Sequence, residues 1–246
     1  MSATAAQRYL AEFLGTFGLL LSVGGAAVFT IVPGIDPFLR VLLVSLSVGF
    51  GLIGMIYSFG DVSGGHFNPA VTVGAWVSGR FSGRDVVPYI LSQAAGGVLA
   101  MGVIGGIAAS RPGTFHAVQA AALGSQCYSA GSIACNHYGW PAVFLFELVF
   151  TFVLVVVILF ATREAASAKN LAPLGIGLTL VMTNLVGIPI DGASINPARS
   201  FAPAVLSSMW GAGNWAIGQD WIFWVAPILG GLVAALVDRA LRPASP

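Results

Sequence analysis

The chain has 246 residues, of which 57% are hydrophobic and only 8% carry a charge. A soluble domain of this size would have about 25% charged residues, so the composition indicates a protein that crosses a membrane several times. The net charge of +1 gives no electrostatic basis for binding nucleic acid. With so few titratable side chains, we expect neither an enzyme nor a bound cofactor.

Six stretches without a charged residue are candidates for transmembrane helices, since a span needs about 20 apolar residues. They are residues 13–35, 41–60, 86–110, 148–162, 170–190 and 221–237. Two further uncharged stretches, 62–79 and 200–219, contain or adjoin glycines and prolines that would break a helix. These two are typical of half-spans that re-enter the membrane.

The second half of the chain matches the first in three places and in the same order. Glu12 precedes Thr16 as Glu147 precedes Thr151, residues 63–70 (SGGHFNPA) match 191–198 (DGASINPA), and Gly96-Gly97 matches Gly230-Gly231. The matches predict an internal duplication. We expect repeat one at about 9–110 and repeat two at about 142–240, joined by an extracytoplasmic loop at 111–141, within one membrane domain over 1–246.

Each copy contains three full spans and one half-span, so the second copy enters the membrane from the opposite face. Basic residues support this inverted topology, because assigning the loops to alternate sides places seven of them on the side of both termini and three on the other side. The positive-inside rule then predicts a multi-pass protein of the cell membrane with both termini in the cytoplasm. The seven are Arg8, Arg80, Arg84, Arg163, Lys169, Arg239 and Arg242, and the three are Arg40, Arg111 and Arg199.

Both half-spans begin with the same tripeptide after a loop that contains glycine. Asparagine is a favoured helix N-cap, and proline suits the first helical position, so we predict short helices at 69–77 and 197–206. In an inverted repeat these helices enter from opposite faces, and their amino ends should meet near the middle of the membrane. The tripeptides are Asn68, Pro69 and Ala70 in the first half and Asn196, Pro197 and Ala198 in the second.

This predicted meeting point favours neutral polar molecules. Helix amino ends carry partial positive charge and asparagine amides donate hydrogen bonds, so a water or hydroxyl oxygen is accommodated while cations and hydronium are repelled. The non-helical stretches before each asparagine should turn carbonyl groups toward the lumen. These stretches are Gly64, Gly65, His66 and Phe67, and Gly192, Ala193, Ser194 and Ile195.

At residues 63–72 (SGGHFNPAVT) and 194–200 (SINPARS) the sequence resembles the aquaporin, or major intrinsic protein, family, in particular its prokaryotic water channels. Two Asn-Pro-Ala motifs in register within a repeat, the second followed by arginine, are specific to this family, and the resemblance extends from Glu12 to about Leu236. It implies an all-α polytopic membrane protein with the family's hourglass fold, in which six transmembrane helices and two re-entrant half-helices form an inverted repeat. It also implies a homotetramer in membrane lipid with one pore per subunit.

The resemblance further assigns a selectivity filter to Val48, Asn184, Ala193 and Arg199. A lone intramembrane arginine is costly, which favours the filter role for Arg199. Alternatively, its side chain could snorkel or brace loop carbonyls. Water-selective members have an aromatic residue and a histidine at the positions of Val48 and Asn184, so the filter should be wider here unless neighbouring side chains fill the gap. Ser200 stands where glycerol-conducting members have aspartate, which points back to water. The implied function is a passive water channel, with small neutral solutes such as glycerol as further candidate permeants.

Glu12 and Glu147 are acids within apolar spans, and two interpretations remain open. They could be proton or cation sites of a secondary transporter for a small polar solute, since inverted repeats and broken helices also occur in transporters. Alternatively, each carboxylate could accept hydrogen bonds from the re-entrant loop and brace its backbone. We favour bracing, because it is needed once in each repeat, and the channel over the transporter.

The remaining residues predict no metal site. His116, His137, Cys127 and Cys135 share one long loop without convincing ligand spacing, and the two cysteines could form a disulfide or remain free thiols. Glycines within the spans, including the pair Gly102 and Gly106, are expected to allow close helix packing.

Overall fold

The computed structural model describes residues 3–110, 122–128, 138–164, 166–167 and 169–242. These residues form eight α-helices, two short 3-10 turns at Ala122–Gly124 and Lys169–Leu171, and no β-strand. Six helices are long and apolar enough to cross a membrane, namely α1, α2, α4, α5, α6 with the turn before it, and α8. The helices are α1 (Ala5–Phe29), α2 (Pro37–Ser63), α3 (Pro69–Val77), α4 (Gly83–Ala109), α5 (Trp140–Ala161), α6 (Ala172–Gly187), α7 (Pro197–Met209) and α8 (Trp215–Ala240).

The six predicted spans are confirmed as helices, but several helices extend past the uncharged stretches. Helix α1 begins before Arg8, because Thr4 caps its amino end and forms a capping box with Gln7. Helix α2 begins before Arg40, where Asp36 accepts a hydrogen bond from the Leu39 backbone at 2.9 Å. A stretch without charge therefore locates a helix only approximately, since α1 also ends at Phe29 within the stretch 13–35, while side-chain caps set where these helices start.

The two short helices start at the predicted prolines. Helix α3 has the predicted bounds, whereas α7 contains Pro203 and ends at Met209, three residues later than predicted. Asn68 caps α3 through a hydrogen bond from the Ala70 backbone at 2.8 Å. Asn196 caps α7 through the Ala198 backbone at 3.0 Å.

The two repeats pack in matching ways and interlock. Helix α1 packs along α4 and α2, as α5 packs along α8 and α6, and α2 contacts α6. Each short helix packs mainly on the last helix of the other repeat, α3 on α8 and α7 on α4. The core therefore lies between the repeats, and neither repeat encloses its own short helix.

Glycines allow this interlocking, as the sequence predicted. A Cβ atom added to Gly231 on α8 would lie 2.6 Å from the carbonyl oxygen of Ala70 on α3, and one added to Gly97 on α4 would lie 3.3 Å from that of Ala198 on α7. A Cβ on Gly49 would lie 2.7 Å from the carbonyl oxygen of Gly177, which brings α2 close to α6. Side chains at these positions would force the helices apart.

Gly102 and Gly106 do not make the predicted packing contact with any of the described residues. No atom of the described residues lies within 4 Å of a Cβ added at either position. The inward face of α4 carries Gly97, Met101 and Ile104, so the intervening positions point away from the bundle.

Charged side chains collect at one end of the bundle. Arg8 at the start of α1 pairs with Asp85 at the start of α4 at 3.0 Å. Close by, the fully buried carboxylate of Asp238 on α8 pairs with Arg80 at 2.6 Å, Arg163 at 3.0 Å and Arg242 at 2.6 Å. Since Arg80 follows α3 and Arg163 follows α5, α1 begins at the end of the bundle where α5 finishes. The two repeats thus run in opposite directions.

Candidate functional site

A cavity of about 500 Å³ lies between the repeats and is lined by residues from both. At the charged end of the bundle its lining includes Asp61, Thr162 and Lys169, and toward the other end it includes Asn184 and Arg199. Most of the wall is apolar, with residues such as Leu19, Leu52, Ile176 and Leu180. The polar groups are concentrated where the two re-entrant loops reach the cavity.

The two asparagines of the motifs hold each other in place. The Asn68 amide Nδ2 donates to the carbonyl oxygen of Ile195 at 2.8 Å, and the Asn196 amide Nδ2 donates to that of Phe67 at 2.9 Å. Each amide has two N–H groups, so one on each asparagine has no acceptor among the described residues. Both residues line the cavity. The amino ends of α3 and α7 therefore meet there and present one free donor each.

The re-entrant loops adopt a backbone conformation that L-residues rarely take. Phe67 has a φ of 47°, Ala193 of 50° and Ile195 of 46°, and such residues cost about 1–3 kcal/mol each unless their surroundings stabilise them. Seven of the eight loop residues predicted to present carbonyls line the cavity. Gly192 is the exception, and its carbonyl oxygen accepts a hydrogen bond from Arg199 at 3.3 Å.

Glu12 accepts four hydrogen bonds from the first re-entrant loop and its surroundings. The backbone N–H groups of His66 and Phe67 donate at 2.9 and 2.7 Å, the Ser63 hydroxyl donates at 2.7 Å, and the Gln93 amide donates at 2.7 Å. The carboxylate is fully buried and does not line the cavity. These contacts are the ones that the bracing interpretation describes.

Glu147 makes the equivalent backbone contacts in the second repeat. The N–H groups of Ser194 and Ile195 donate to its two oxygens at 2.8 and 2.7 Å. Glu147 is also fully buried away from the cavity. Because Phe67 and Ile195 are the residues with positive φ, the two carboxylates hold the strained part of each loop.

The four residues assigned to the filter all lie on the cavity and are all buried. Arg199 donates to the carbonyl oxygens of Gly124 at 3.1 Å and Gly192 at 3.3 Å. Among the described residues it has no carboxylate within 4 Å. It therefore braces two loop carbonyls and still borders the cavity, so the two interpretations of Arg199 are compatible.

Asn184 contributes an acceptor to this region. Its Nδ2 donates to the carbonyl oxygen of Leu180 at 2.9 Å, and its buried Oδ1 has no donor among the described residues. The opposite amide orientation would place two acceptor oxygens against each other, so the hydrogen bond to Leu180 fixes the orientation. The side chains of Val48 and Ala193, which also line the cavity, are apolar.

Sequence analysis missed several residues that support the first loop. Gln93 lies in the third predicted span and donates to both Glu12 and Thr72, and Tyr89 donates to the Ser63 carbonyl at 2.7 Å. A polar glutamine within an uncharged span could have indicated a buried hydrogen bond. Its partners could not be identified, however, because they lie far away in the sequence. His66 lines the cavity, and its Nδ1 lies 3.1 Å from the Thr72 hydroxyl.

The cysteines and the other histidines belong largely to undescribed parts of the chain. Cys127 is buried, whereas Cys135, His116 and His137 lie outside the described residues, so the disulfide stays a prediction. Within the described residues no group of three or more His, Cys, Asp or Glu side chains could hold a metal ion.

Six membrane-crossing helices, two short helices that meet at their amino ends and a cavity lined from both repeats define a polytopic membrane channel protein. The sequence model of the family "Major intrinsic protein" matches residues 1–238. The chain therefore belongs to the major intrinsic protein family, whose members are channels and not enzymes.

Individual relatives agree with this assignment. The chain is 40% identical over 237 residues to Aquaporin Z from Photorhabdus laumondii, covering 96% of this chain and 97% of the relative. It is 42% identical over 238 residues to Aquaporin Z from Rhodopseudomonas palustris, covering 96% and 93%. The X-ray structure of the aquaglyceroporin from Plasmodium falciparum superimposes with a TM-score of 0.81 at 21% identity and covers 97% of both chains, which supports the fold.

Proposed function

We propose that this protein is a passive channel for water that excludes protons and ions and also admits small neutral solutes such as glycerol. The observation that carries the proposal is the meeting of α3 and α7 at Asn68 and Asn196, each with one amide N–H free on the cavity. The names of the two Aquaporin Z relatives support water as the permeant.

The exclusion of cations follows from the same geometry. The positive ends of two helices and two amide donors face one short segment of cavity, and this arrangement stabilises the oxygen of water while it repels hydronium and metal cations. We assign selectivity to Val48, Asn184, Ala193 and Arg199. Arg199, which has no carboxylate within 4 Å among the described residues, adds a second positive barrier at that end of the cavity.

The alternative, a secondary transporter, would need an acid that ions can reach. Glu12 and Glu147 are fully buried away from the cavity and engaged by backbone donors. These contacts favour a bracing role over a coupling site.

We also propose that both termini are cytoplasmic and that the channel is a homotetramer in membrane lipid. The collection of Arg8, Arg80, Arg163 and Arg242 at the end of the bundle where α1 begins supports the first proposal. The tetramer rests on membership of the family.

Stopped-flow light scattering on proteoliposomes tests the channel function. We expect osmotic water permeability above that of empty vesicles, little dependence on temperature, and no response to a pH or sodium gradient. Val48→Trp should abolish the protein's water permeability by filling the cavity, while Val103→Trp, on the exposed outer face of α4, should leave it unchanged. Strict dependence on an ion gradient would overturn the channel in favour of the transporter.

A further inference from the structure

Asp191 begins the second of the two matching repeat segments, where the first segment has Ser63. The Ser63 hydroxyl donates a hydrogen bond to Glu12 at 2.7 Å and completes the four donors of that carboxylate. An aspartate in this position has no hydrogen to donate when it is ionised. The two repeats therefore differ at the contact that supports the bracing acid.

Glu147 consequently has fewer donors than Glu12. Its two backbone donors are kept, but Gln93 corresponds in the repeat to Pro227, which offers no side-chain donor. Ser63 corresponds to Asp191, whose side chain is in hydrogen-bond contact with that of Glu147. Among the described residues, a second carboxyl group thus stands where the first repeat has a hydroxyl donor.

The surroundings of Asp191 offer little compensation for a second negative charge. Asp191 is 3% exposed, its Oδ1 accepts from the Ala193 backbone at 2.8 Å, and its buried Oδ2 has no donor among the described residues. The charged groups that act on it are Glu147 on α5 and Arg199 on α7, and Arg199 forms no ion pair with either acid within 4 Å. From α6 the Gly187 carbonyl oxygen accepts a hydrogen bond from the Asp191 backbone at 3.0 Å, and from residues 122–128 the Cys127 backbone donates to the Asp191 carbonyl oxygen at 3.2 Å.

We propose that Asp191 is protonated and that its O–H donates a hydrogen bond to Glu147, so that the pair carries one negative charge. Two carboxylates in contact in a buried site repel each other strongly, and one shared proton removes that repulsion. The protonated Asp191 thereby does for Glu147 what Ser63 does for Glu12.

Asp191 is then a positioning residue for the filter. The residue after it, Gly192, presents the carbonyl oxygen that holds Arg199 at 3.3 Å, and Ala193 is a member of the filter. When alkaline solvent removes the proton, the repulsion between the two acids displaces this loop, and the Arg199 guanidinium moves toward the added negative charge. This inference rests on the proposed channel function, and it predicts that the protein's water permeability falls at alkaline pH.

Infrared spectroscopy tests the proton directly on the full chain. The wild-type spectrum should contain the C=O stretch of a protonated carboxyl group, and part of that band should be lost in Asp191→Asn. Asp36→Asn, which changes an exposed helix cap, should leave the band unchanged. An unaltered band in Asp191→Asn would show that Asp191 is ionised and would overturn the proposal.

The pH profile of water permeability in proteoliposomes tests the positioning role. Wild type should lose permeability at alkaline pH, whereas Asp191→Ser and Asp191→Asn, which donate without titrating, should keep neutral-pH permeability throughout. Asp191→Ser copies the first repeat, so it remains informative if the asparagine variant fails to fold. A flat wild-type profile, or alkaline loss that persists in Asp191→Ser, would overturn the positioning role. Absence of permeability in wild type at neutral pH would instead overturn the channel function and leave the infrared result to decide the proton.

Discussion

Val48 is the residue at which the width of the filter can be tested most directly. It lines the cavity beside Asn184 and Arg199 and supplies only apolar surface. Val48→Phe should reduce glycerol flux more than water flux, because the larger side chain narrows the constriction for the larger solute. Stopped-flow measurements of both solutes in the same vesicles provide the ratio.

The matched control for this change is Val103→Phe on the exposed face of α4. It adds the same ring without touching the cavity, so both fluxes should stay at wild-type values. Equal loss of water and glycerol flux in Val48→Phe would count against a place for Val48 in the constriction.

The residues that the motifs assign to the site lie together in the structure. The paired motifs and their spacing gave Asn68, Asn196 and Arg199, and counting outward in the family pattern gave Val48 and Asn184, all of which line one cavity. Gln93 was missed, because its importance depends on contacts with Glu12 and Thr72 that no local pattern contains. The sequence equally could not predict that the Asn184 Oδ1 has no donor among the described residues, since this follows from the hydrogen bond between Nδ2 and Leu180.

At the level of elements, the two buried glutamates stabilise the re-entrant loops. Glu12→Gln or Glu147→Gln replaces one acceptor oxygen by an amide and leaves a buried backbone N–H without its partner. Each change should lower the free energy of unfolding by about 1–3 kcal/mol and reduce water permeability. Thermal unfolding in detergent and the vesicle assay measure the two effects.

Glu164→Gln is the control for charge removal, because the Glu164 side chain is 94% exposed and, among the described residues, pairs with Lys169 alone, at 2.8 Å. It should change neither stability nor permeability. If the buried and exposed variants behaved alike, the bracing role of Glu12 and Glu147 would be wrong.

The first and last residues of the helices show which structural features a sequence can predict. Asn-Pro fixed the starts of α3 and α7, since a cap and a proline act locally, but the end of α7 was placed too early. Helix α7 packs on neighbours on two sides, α4 and α8, and such contacts between distant segments are not contained in a local sequence pattern. The sequence also could not predict which way Gly102 and Gly106 face, because this depends on how α4 packs as a whole.

In the whole molecule, the contact between repeats depends on a few glycines. Gly231→Ala would place a methyl group against the Ala70 carbonyl on α3, at 2.6 Å, and no flexible side chain is there to yield. We expect a loss of about 1–3 kcal/mol in stability and lower water permeability, because α3 would be pushed from its place at the cavity. Thermal unfolding and stopped-flow assays on the same preparation measure both.

Gly102→Ala is the matched change on open surface. No atom of the described residues lies within 4 Å of the added methyl group, so alanine should stabilise the helix by about 0.5–1 kcal/mol. A similar loss of stability in both variants would contradict the packing argument, or reveal a neighbour of α4 from another chain.

The overall fold was predictable because the patterns that determine it, uncharged stretches and paired motifs, occur in both halves of the sequence. Charge-free stretches gave the six spans, and the duplicated motifs gave two repeats with opposite directions. The exchange of short helices, with α3 on α8 and α7 on α4, was not predictable, since it depends on shape and on glycine contacts between distant segments.

The reciprocal hydrogen bonds between Asn68 and the Ile195 carbonyl, and between Asn196 and the Phe67 carbonyl, make the two motifs a single unit of local unfolding. If either short helix leaves its place, it removes the acceptor of the other asparagine and exposes that helix's capped amino end. Opening fluctuations at the centre of the molecule must therefore involve both repeats together. Half of the protein produced alone would lack the acceptor that orients its own asparagine, so two copies of it would have to associate before either motif took its native form.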